Sequence, residues 1–303
     1  QIMIGKHVVV FEDDAAAVAA PSPAAEGGGG PRFGRYEVVK EIGSGAMGTV
    51  YLGRDPVGRR NVAIKTLKPA GVDAQELADM KARFFREAES GKQLAHPAIV
   101  KIYDAGEEQG TAYFAMELLE GVTLRDFCAK RGTVSVKRAA EIAACVAEAL
   151  AYAHAKNVVH RDIKPENIMI LSNGDIKITD FGVAKLMDAT QTQAGVVLGT
   201  PNYMSPEQLF GAKIDRRSDL FSLGVVFYEL LTGVRPFQAR NISEMLRLHE
   251  THQPAPPSTL RSEVPAAIDA IALRALQRDV EQRYQQGGQM ASDLRAAMRS
   301  LAS

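Results

Sequence analysis

The sequence has few cysteines, no excess of charge and no long apolar run, and each of these absences excludes a class of protein. Cys128 and Cys145 are the two cysteines among 303 residues, with no CxxC pattern, which excludes a disulfide-stapled miniprotein and predicts free thiols. Lys plus Arg and Asp plus Glu number 36 each, so the footprint of a nucleic-acid or membrane-surface binder is missing. The most apolar stretch, 223–231, is too short to span a bilayer. We therefore expect no nucleic-acid partner and no membrane contact by this segment.

What remains predicts a folded chain preceded by a linker. Apolar residues make up 46% and charged residues 24% of the sequence, values typical of a globular protein. Residues 12–32 are rich in Ala, Pro and Gly, so we assign 1–32 as an N-terminal extension and linker. Its β-branched run 2–11 is either the end of an upstream domain or a segment that docks on the main body. Because the chain begins with Gln1 and shows no signal pattern, we expect a piece of a longer protein, located in the cytoplasm, with any membrane anchor outside this segment.

From Tyr36 onward, the sequence predicts a β-rich part followed by a helical part. Alternating and β-branched runs between Gly and Pro predict strands, and apolar spacings of three and four predict one helix among them. After Gly121 helices dominate, and most begin at Ser, Thr or Asp and end near Gly or Pro. The predicted strands are 36–42, 49–54, 61–67, 99–107, 112–118, 168–171 and 176–179, and the predicted helices are 74–94, 124–131, 135–156, 217–232 and 242–250, with others after Pro265 and near Gln289.

The glycine-rich segment 43–50 joins the first two predicted strands. Its glycines allow the backbone to approach phosphate groups without interference from a Cβ atom. A dinucleotide-binding turn has a similar spacing but opens a helix, whereas a strand follows here. A glycine hairpin without a functional role stays the alternative for this motif taken alone.

A lysine in a predicted strand and a glutamate in the predicted helix carry opposite charges. Lys65 lies in the third predicted strand, 15 residues after Val50, and Glu87 follows 22 residues later in the predicted helix. An ion pair between them is one interpretation. Taken singly, a strand-edge lysine and a solvated glutamate are the simpler one.

The segment 160–167 reads His-Arg-Asp-Ile-Lys-Pro-Glu-Asn, and Asp-Phe-Gly follows at 180–182. Phosphoryl transfer needs a carboxylate to orient an attacking hydroxyl and hard oxygen ligands to hold Mg²⁺ on the nucleotide phosphates. Asp162, Asn167 and Asp180 supply these groups.

With these motifs in this order, the sequence resembles the eukaryotic-type (Hanks-type) Ser/Thr protein kinases, and the segments 84–88, 96–100 and 204–208 resemble their bacterial branch. The resemblance covers roughly residues 33–300. It implies an α+β, two-lobed protein kinase fold. The implied parts are a small β-rich lobe with one main helix at about 33–117, a hinge at about 117–121 and a larger, mainly helical lobe at about 121–300, with ATP in the cleft between the lobes.

The resemblance also implies roles for individual residues. Asp162 orients the substrate hydroxyl and Lys164 steadies the transferring phosphate. Lys65 contacts the α- and β-phosphates, and Glu87 fixes Lys65. Asn167 and Asp180 hold Mg²⁺, with Mn²⁺ as the alternative ion. The resemblance further implies that glycines cover the phosphates of ATP, that apolar residues enclose the adenine and that the backbones of Glu117 and Leu119 hydrogen-bond to it. Core packing explains the apolar residues equally well. The implied ATP-binding positions are Ile42, Gly43, Ser44, Gly45, Gly48, Val50, Ala63, Lys65, Met116, Glu117, Leu119 and Met169.

Further residues resemble structural supports of the family. Asp219 resembles a buried carboxylate that pins the catalytic-loop backbone, Glu207 and Arg283 resemble an ion pair of the large lobe, and His160 resembles a packing residue. Gly91 departs from the pattern, because the family usually has an apolar side chain there. A glycine within a helix costs about 1 kcal/mol relative to alanine, so we expect this helix to be loosely held.

The function implied by the resemblance is a protein serine/threonine kinase that transfers the γ-phosphoryl group of Mg·ATP to Ser or Thr hydroxyls of protein substrates. One alternative is a pseudokinase that binds nucleotide without turnover, and the intact catalytic residues argue against it. The other is a small-molecule kinase of related fold, and the segment 199–203, which resembles a peptide-substrate loop, argues against that one. Thr190 and Thr192 are predicted autophosphorylation sites, because Arg161 precedes the catalytic Asp162 and this subtype commonly pairs that arginine with a phosphate. A homodimer through the small lobe is expected from similar bacterial kinases.

Overall fold

A computed structural model describes residues 31–45, 48–67, 71, 73–181 and 201–300. Contacts divide these residues into two compact units. The first unit comprises the described part of 1–92 together with 101–122 and 171–173, and the second comprises 93–100, 123–170 and the described part of 174–303. Within the described residues, no helix combines the length and the apolar character needed to cross a membrane.

The first unit is built on a six-stranded antiparallel sheet in the order β1-β2-β3-β4-β6-β5. Five of these strands match the predicted runs. The sixth, β1, was not predicted, because it is only two residues long and too short to show an alternating pattern. The predicted run 99–107 is wrong at its start. Ile99 belongs to the second unit, where it forms a parallel bridge with Ile178. The strands are β1 (Arg32–Phe33), β2 (Tyr36–Gly45), β3 (Gly48–Asp55), β4 (Arg60–Leu67), β5 (Ile102–Glu108) and β6 (Thr111–Glu117), and a short β7 (Gly121–Thr123) follows them.

Helix α1 (Ala74–Lys92) packs against β5 in the first unit. It begins where the Asp73 side chain accepts a hydrogen bond from the backbone N–H of Glu76, as N-cap residues do. The helix continues without a break through Gly91, where an added Cβ would lie 2.4 Å from Ile102 Cδ1. The Ile102 side chain therefore fills the space that the glycine leaves, so the glycine opens no gap between α1 and β5.

The second unit is mainly helical and is organised around α5 (Arg216–Thr232), which is buried on all sides. The carboxylate of Asp215 caps its first turn, and Gly233 ends it with φ 77°. The predicted helices agree with α1, α2, α3, α5 and α6 to within two residues, so the α+β class is confirmed. The other elements are α2 (Leu124–Arg131), α3 (Val136–Ala155), β8 (Ile168–Leu171), β9 (Ile176–Ile178), α4 (Pro206–Leu209), α6 (Ile242–Thr251), α7 (Ala266–Ala275) and α8 (Gly287–Ser300), with 3₁₀ turns at Pro165–Asn167, Pro201–Tyr203 and Pro257–Thr259.

The core of the second unit is formed by α3, α5, α7 and α8. The buried face of α3 is rich in alanine, which permits close approach of α8 and α5. Cys128 and Cys145 are both free and half-buried, as the sequence predicted, and burial raises the pKa of each thiol. The core of the second unit is thus a tightly packed helical body.

Candidate active site

The first unit brings Lys65 and Glu87 together. Lys65 lies in β4 and Glu87 in α1, and Lys65 Nζ is 3.2 Å from Glu87 Oε1. Both side chains are less than one-tenth exposed. The Lys65 ammonium also lies 5.4 Å from the centre of the Phe114 ring. The interpretation of these residues as a strand-edge lysine and a solvated glutamate is therefore wrong.

The glycine-rich segment forms paired strand ends, with Gly43 opposite Val50 and Gly45 opposite Gly48. Gly48 has φ 157°, and a Cβ there would lie 1.8 Å from the carbonyl oxygen of Thr66, so no other residue fits without a shift of the backbone. Ser44 is exposed between these pairs. The segment joins two strands, as the sequence predicted, rather than opening a helix.

The predicted adenine contacts are distributed over both units. In the first unit, Val50 and Lys65 are register partners, and so are Ala63 and Met116. The backbone N–H of Glu117, a residue predicted to hydrogen-bond to the adenine, donates to the carbonyl of Lys101 at 2.8 Å. Val50, Ala63, Met116 and Leu119 are buried, Ile42 is half-buried, and Met169 is fully buried in β8 of the second unit.

The catalytic loop of the second unit gathers Asp162, Lys164 and Asn167. The Lys164 ammonium donates to Asp162 Oδ2. Asn167 Nδ2 donates to the Asp162 backbone carbonyl at 2.8 Å and to Asp162 Oδ2 at 3.2 Å. The compact 3₁₀ turn Pro165–Asn167 keeps Asn167 close to Asp162, because such a turn rises only about 2 Å per residue. The Asp162 carboxylate, the Lys164 ammonium and the Asn167 amide thus lie within hydrogen-bond distance of one another around Asp162.

The segment that carries Asp180 is joined to this loop. The backbone N–H of Thr179 donates to the carbonyl of Asn167 at 2.9 Å, and His160 Nε2 lies 2.9 Å from the carbonyl oxygen of Thr179. The rings of His160 and Phe181 meet edge to face at 4.6 Å. Asp180 has φ 58°, a conformation that costs a residue other than glycine about 1 kcal/mol or more.

The supports predicted from the resemblance lie in the second unit. Asp219 accepts hydrogen bonds from the backbone N–H groups of His160 and Arg161 at 2.8 and 2.7 Å. Arg283 forms two hydrogen bonds to the Glu207 carboxylate, at 2.8 and 2.9 Å, and is itself fully buried. Burial alone would raise the pKa of Glu207, but the hydrogen bonds and charge of Arg283 outweigh it, so that pKa lies below its ordinary value.

Sequence reasoning missed a second polar network beside the catalytic loop. Arg125 donates to Glu166 at 2.6 Å and to the Tyr203 hydroxyl at 3.2 Å, and Tyr203 donates to Glu229 at 2.6 Å. Burial, followed by the nearby Glu229 charge, raises the pKa of Tyr203 well above its ordinary value. These residues come from four separate elements, so no local pattern marks them. Gly182, Thr190, Thr192 and Thr200 lie outside the described residues.

Comparison with known proteins gives this constellation its family. The model of one protein family, described as the protein kinase domain, matches residues 36–293, most of the chain. The chain belongs to the protein kinase family. The resemblance that the sequence motifs indicated is therefore confirmed, and so is the protein kinase fold.

This kinase domain is similar to three bacterial proteins. It is 41% identical over 267 residues to the serine/threonine-protein kinase PknB of Mycobacterium tuberculosis and 39% identical over 265 residues to the serine/threonine-protein kinase PrkC of Bacillus subtilis. It is 40% identical over 272 residues to a probable serine/threonine-protein kinase of Streptomyces coelicolor. These matches cover 86 to 88% of this chain and 40 to 42% of the relatives, so the chain spans less than half of their length.

Proposed function

We propose that this kinase domain transfers the γ-phosphoryl group of Mg·ATP to Ser or Thr hydroxyls of protein substrates. The observation that carries the proposal is the bonded group of Asp162, Lys164 and Asn167 on a loop whose backbone is held by Asp219. The printed names of the relatives, which are serine/threonine-protein kinases, support the same substrate class. We propose residues 33–300 as the catalytic domain, with a cytoplasmic location.

In this function, Asp162 accepts a hydrogen bond from the substrate hydroxyl and turns its oxygen toward the phosphorus atom. A positioned general base contributes roughly 10² to 10⁴ in rate. The Lys164 ammonium, which already contacts the Asp162 carboxylate, places a positive charge where the phosphoryl oxygens pass. Lys65, held by Glu87, supplies a second positive charge from the first unit. Catalysis rests on positioning and electrostatics.

The donor set of the second unit fits a divalent cation. Asn167 uses its amide N–H groups on Asp162, so its amide oxygen points the other way, and Asp180 adds a carboxylate on a segment joined to Asn167 by backbone hydrogen bonds. Hard oxygen donors of this kind suit Mg²⁺, with Mn²⁺ as the alternative. When bound, the metal neutralises charge on the nucleotide phosphates. We propose Asn167 and Asp180 as its ligands, and the strand ends 43–45 and 48–50 as the phosphate cover.

Transfer of radiolabelled phosphate from Mg·ATP to a mixture of Ser, Thr and Tyr peptides tests the proposal. We expect phosphoserine and phosphothreonine with the natural chain and about 10² to 10⁴ less product with Asp162→Asn, at an unchanged melting temperature. Nucleotide binding without turnover by the natural chain would instead identify a pseudokinase. Transfer to small hydroxyl compounds but not to peptides would identify a small-molecule kinase.

We also propose that Thr190 and Thr192 are autophosphorylated. A phosphothreonine carries a charge of about −1.5 to −2 and three acceptor oxygens, which suit the guanidinium of Arg161 beside Asp162. Mass spectrometry after incubation with Mg·ATP is expected to find phosphate on at least one of them. The double Thr190→Ala/Thr192→Ala variant is expected to be several-fold less active on an added peptide. An unmodified and fully active chain would contradict this.

A homodimer through the first unit is a further proposal. Val57 is 77% exposed and Val39 is 55% exposed on this unit, which gives its surface two apolar contacts for a second copy. Light scattering over a dilution series is expected to show a concentration-dependent dimer, with Val57→Glu monomeric at all concentrations. A natural chain that stays monomeric at high concentration would overturn it.

A further inference from the structure

A buried histidine lies behind the catalytic loop of the second unit. His154 is in the last turn of α3, and its Nε2 is 2.7 Å from Asp219 Oδ2. The His154 side chain is 5% exposed, and that of Asp219 is fully buried. The motifs of the sequence do not include His154, which lies 65 positions away from its partner.

The same carboxylate holds the backbone that leads into Asp162. Its Oδ2 accepts from the backbone N–H of His160, and its Oδ1 accepts from that of Arg161. Arg161 has φ 67°, in the left-handed region that costs a residue other than glycine about 1 kcal/mol or more. The two hydrogen bonds stabilise this conformation. The orientation of the Asp219 carboxylate therefore determines where the next residue, Asp162, is placed.

The geometry also assigns the proton of the imidazole. An ionised carboxylate only accepts hydrogen bonds, so His154 Nε2 is the donor. His154 Nδ1 is buried and has no hydrogen-bond partner within the described part of the chain. A proton on Nδ1 would leave a buried donor unsatisfied, which is costly, so the structure favours the tautomer with the proton on Nε2.

We propose that His154 is a positioning residue for phosphoryl transfer, whose Nε2–H holds the Asp219 carboxylate at the angle at which it binds the backbone before Asp162. The proposal rests on the kinase activity proposed above and requires no contact between His154 and substrate. Without this donor, the carboxylate is held, among the residues that the structure describes, only by the two backbone N–H groups, so we expect it to rotate and the strained conformation at Arg161 to relax. A displacement of about 1 Å at a catalytic group costs up to roughly 10²-fold in rate.

Three substitutions test the donor at this position. His154→Leu removes it, His154→Gln keeps an N–H near the place of Nε2, and His154→Asn places its N–H near that of Nδ1 instead. With the full chain, Mg·ATP and a Ser/Thr peptide, we expect kcat to fall roughly tenfold or more in the Leu and Asn variants, at nearly unchanged KM for ATP. The Gln variant is expected to recover most of the natural kcat.

His249 provides the matched control. It is a buried histidine of α6, and its ring lies 4.4 Å from that of Phe237. His249→Leu is expected to leave kcat unchanged, whatever its melting temperature. If loss of a buried ring were the cause of the defect, both Leu variants would lose kcat alike and the positioning role would be overturned.

A spectroscopic measurement decides the placement independently of turnover. Long-range ¹H–¹⁵N spectra of the imidazoles are expected to show the Nε2–H tautomer for His154. In His154→Leu, the amide resonances of His160 and Arg161 are expected to move, while those of α6 stay in place. An Nδ1–H tautomer, or full kcat in His154→Leu while the natural chain is active, would overturn the proposal. An inactive natural chain would overturn the proposed function instead, and the spectra would still test the contact.

Discussion

Lys65 and Glu87 carry opposite charges at a place from which water is almost excluded. Their side chains are 5% and 8% exposed, and the charged atoms are 3.2 Å apart. At such sites the desolvation of each charge is offset by the partner, so removal of one partner costs more than removal of both. The pair therefore serves the proposed activity and also constrains the stability of the first unit.

Lys65→Met tests this double role. We expect phosphoryl transfer to be nearly abolished, because the cation for the phosphates is lost. We also expect the free energy of unfolding to fall by about 3–5 kcal/mol, because the Glu87 carboxylate stays buried after its ion pair with Lys65 is lost. Kinetics and urea unfolding measure the two effects.

The double variant Lys65→Met/Glu87→Met is the control. It is expected to recover most of the lost stability but none of the activity, because neither charge of this pair remains buried and the Lys65 cation is still missing. A double variant as unstable as the single one would show that the two residues stabilise the unit independently of each other.

At the scale of elements, α1 and β5 fit together through one small and one large residue. Gly91 is buried on α1, and Ile102 of β5 fills the position in front of it. Gly91→Leu, which would place an apolar side chain where the family usually has one, would force a branched side chain into occupied space. The structure therefore predicts lower, not higher, activity for that variant.

A pair of smaller substitutions measures this fit. Gly91→Ala alone is expected to destabilise the first unit, because its Cβ would contact Ile102 Cδ1 at 2.4 Å. In an Ile102→Ala background, which lacks both Cδ1 and Cγ1, the same Gly91→Ala change is expected to stabilise by about 1 kcal/mol through helix propensity. Urea unfolding of the four proteins gives the coupling energy. Equal effects of Gly91→Ala in both backgrounds would show that Ile102 does not set the spacing.

At the scale of the whole molecule, we expect stability to depend on pH through a histidine in a buried aromatic cluster. The His249 ring packs against Phe237 and Phe221 at 4.4 and 5.5 Å. Burial, followed by the positive charge of Arg283, lowers the pKa of His249 from 6.5 to about 4, against the smaller opposing effect of Glu207. Between these two values, the unfolded chain binds a proton that the folded chain does not.

The folded state is therefore expected to lose stability as the pH falls below 6.5. The contribution of His249 has a slope of up to about 1.4 kcal/mol per pH unit and a total of about 3 kcal/mol. The difference in unfolding free energy between the natural chain and His249→Leu, followed from pH 7.5 to 4.5, isolates this contribution. We expect the plot of unfolding free energy against pH to be less steep for the variant, by up to about 1.4 kcal/mol per pH unit, which corresponds to nearly one proton. Parallel plots for the two proteins would contradict the lowered pKa of His249.

Much of this molecule follows from local sequence. The apolar spacing and the polar caps define α1, α2, α3, α5 and α6 to within two residues, because helix formation depends on neighbours three and four positions away. The segments 43–50 and 160–167 likewise indicate the proposed chemistry, because the phosphate cover and the catalytic loop that we propose are each a continuous stretch of chain.

Tertiary structure decided what depends on residues far apart in sequence. The β-branched run after Pro97 reads as one strand, yet Ile99 pairs with β9 and Ile102 begins β5, because the two parts find partners in different units. From the sequence alone, Gly91 is a residue that lowers helix propensity, and only the structure shows that the Ile102 side chain packs against it. His154 carries no motif, and its contact with Asp219 arises where α3 packs beside α5. The sequence alone determined which groups are available for phosphoryl transfer, whereas only packing determined which side chains hold those groups in place.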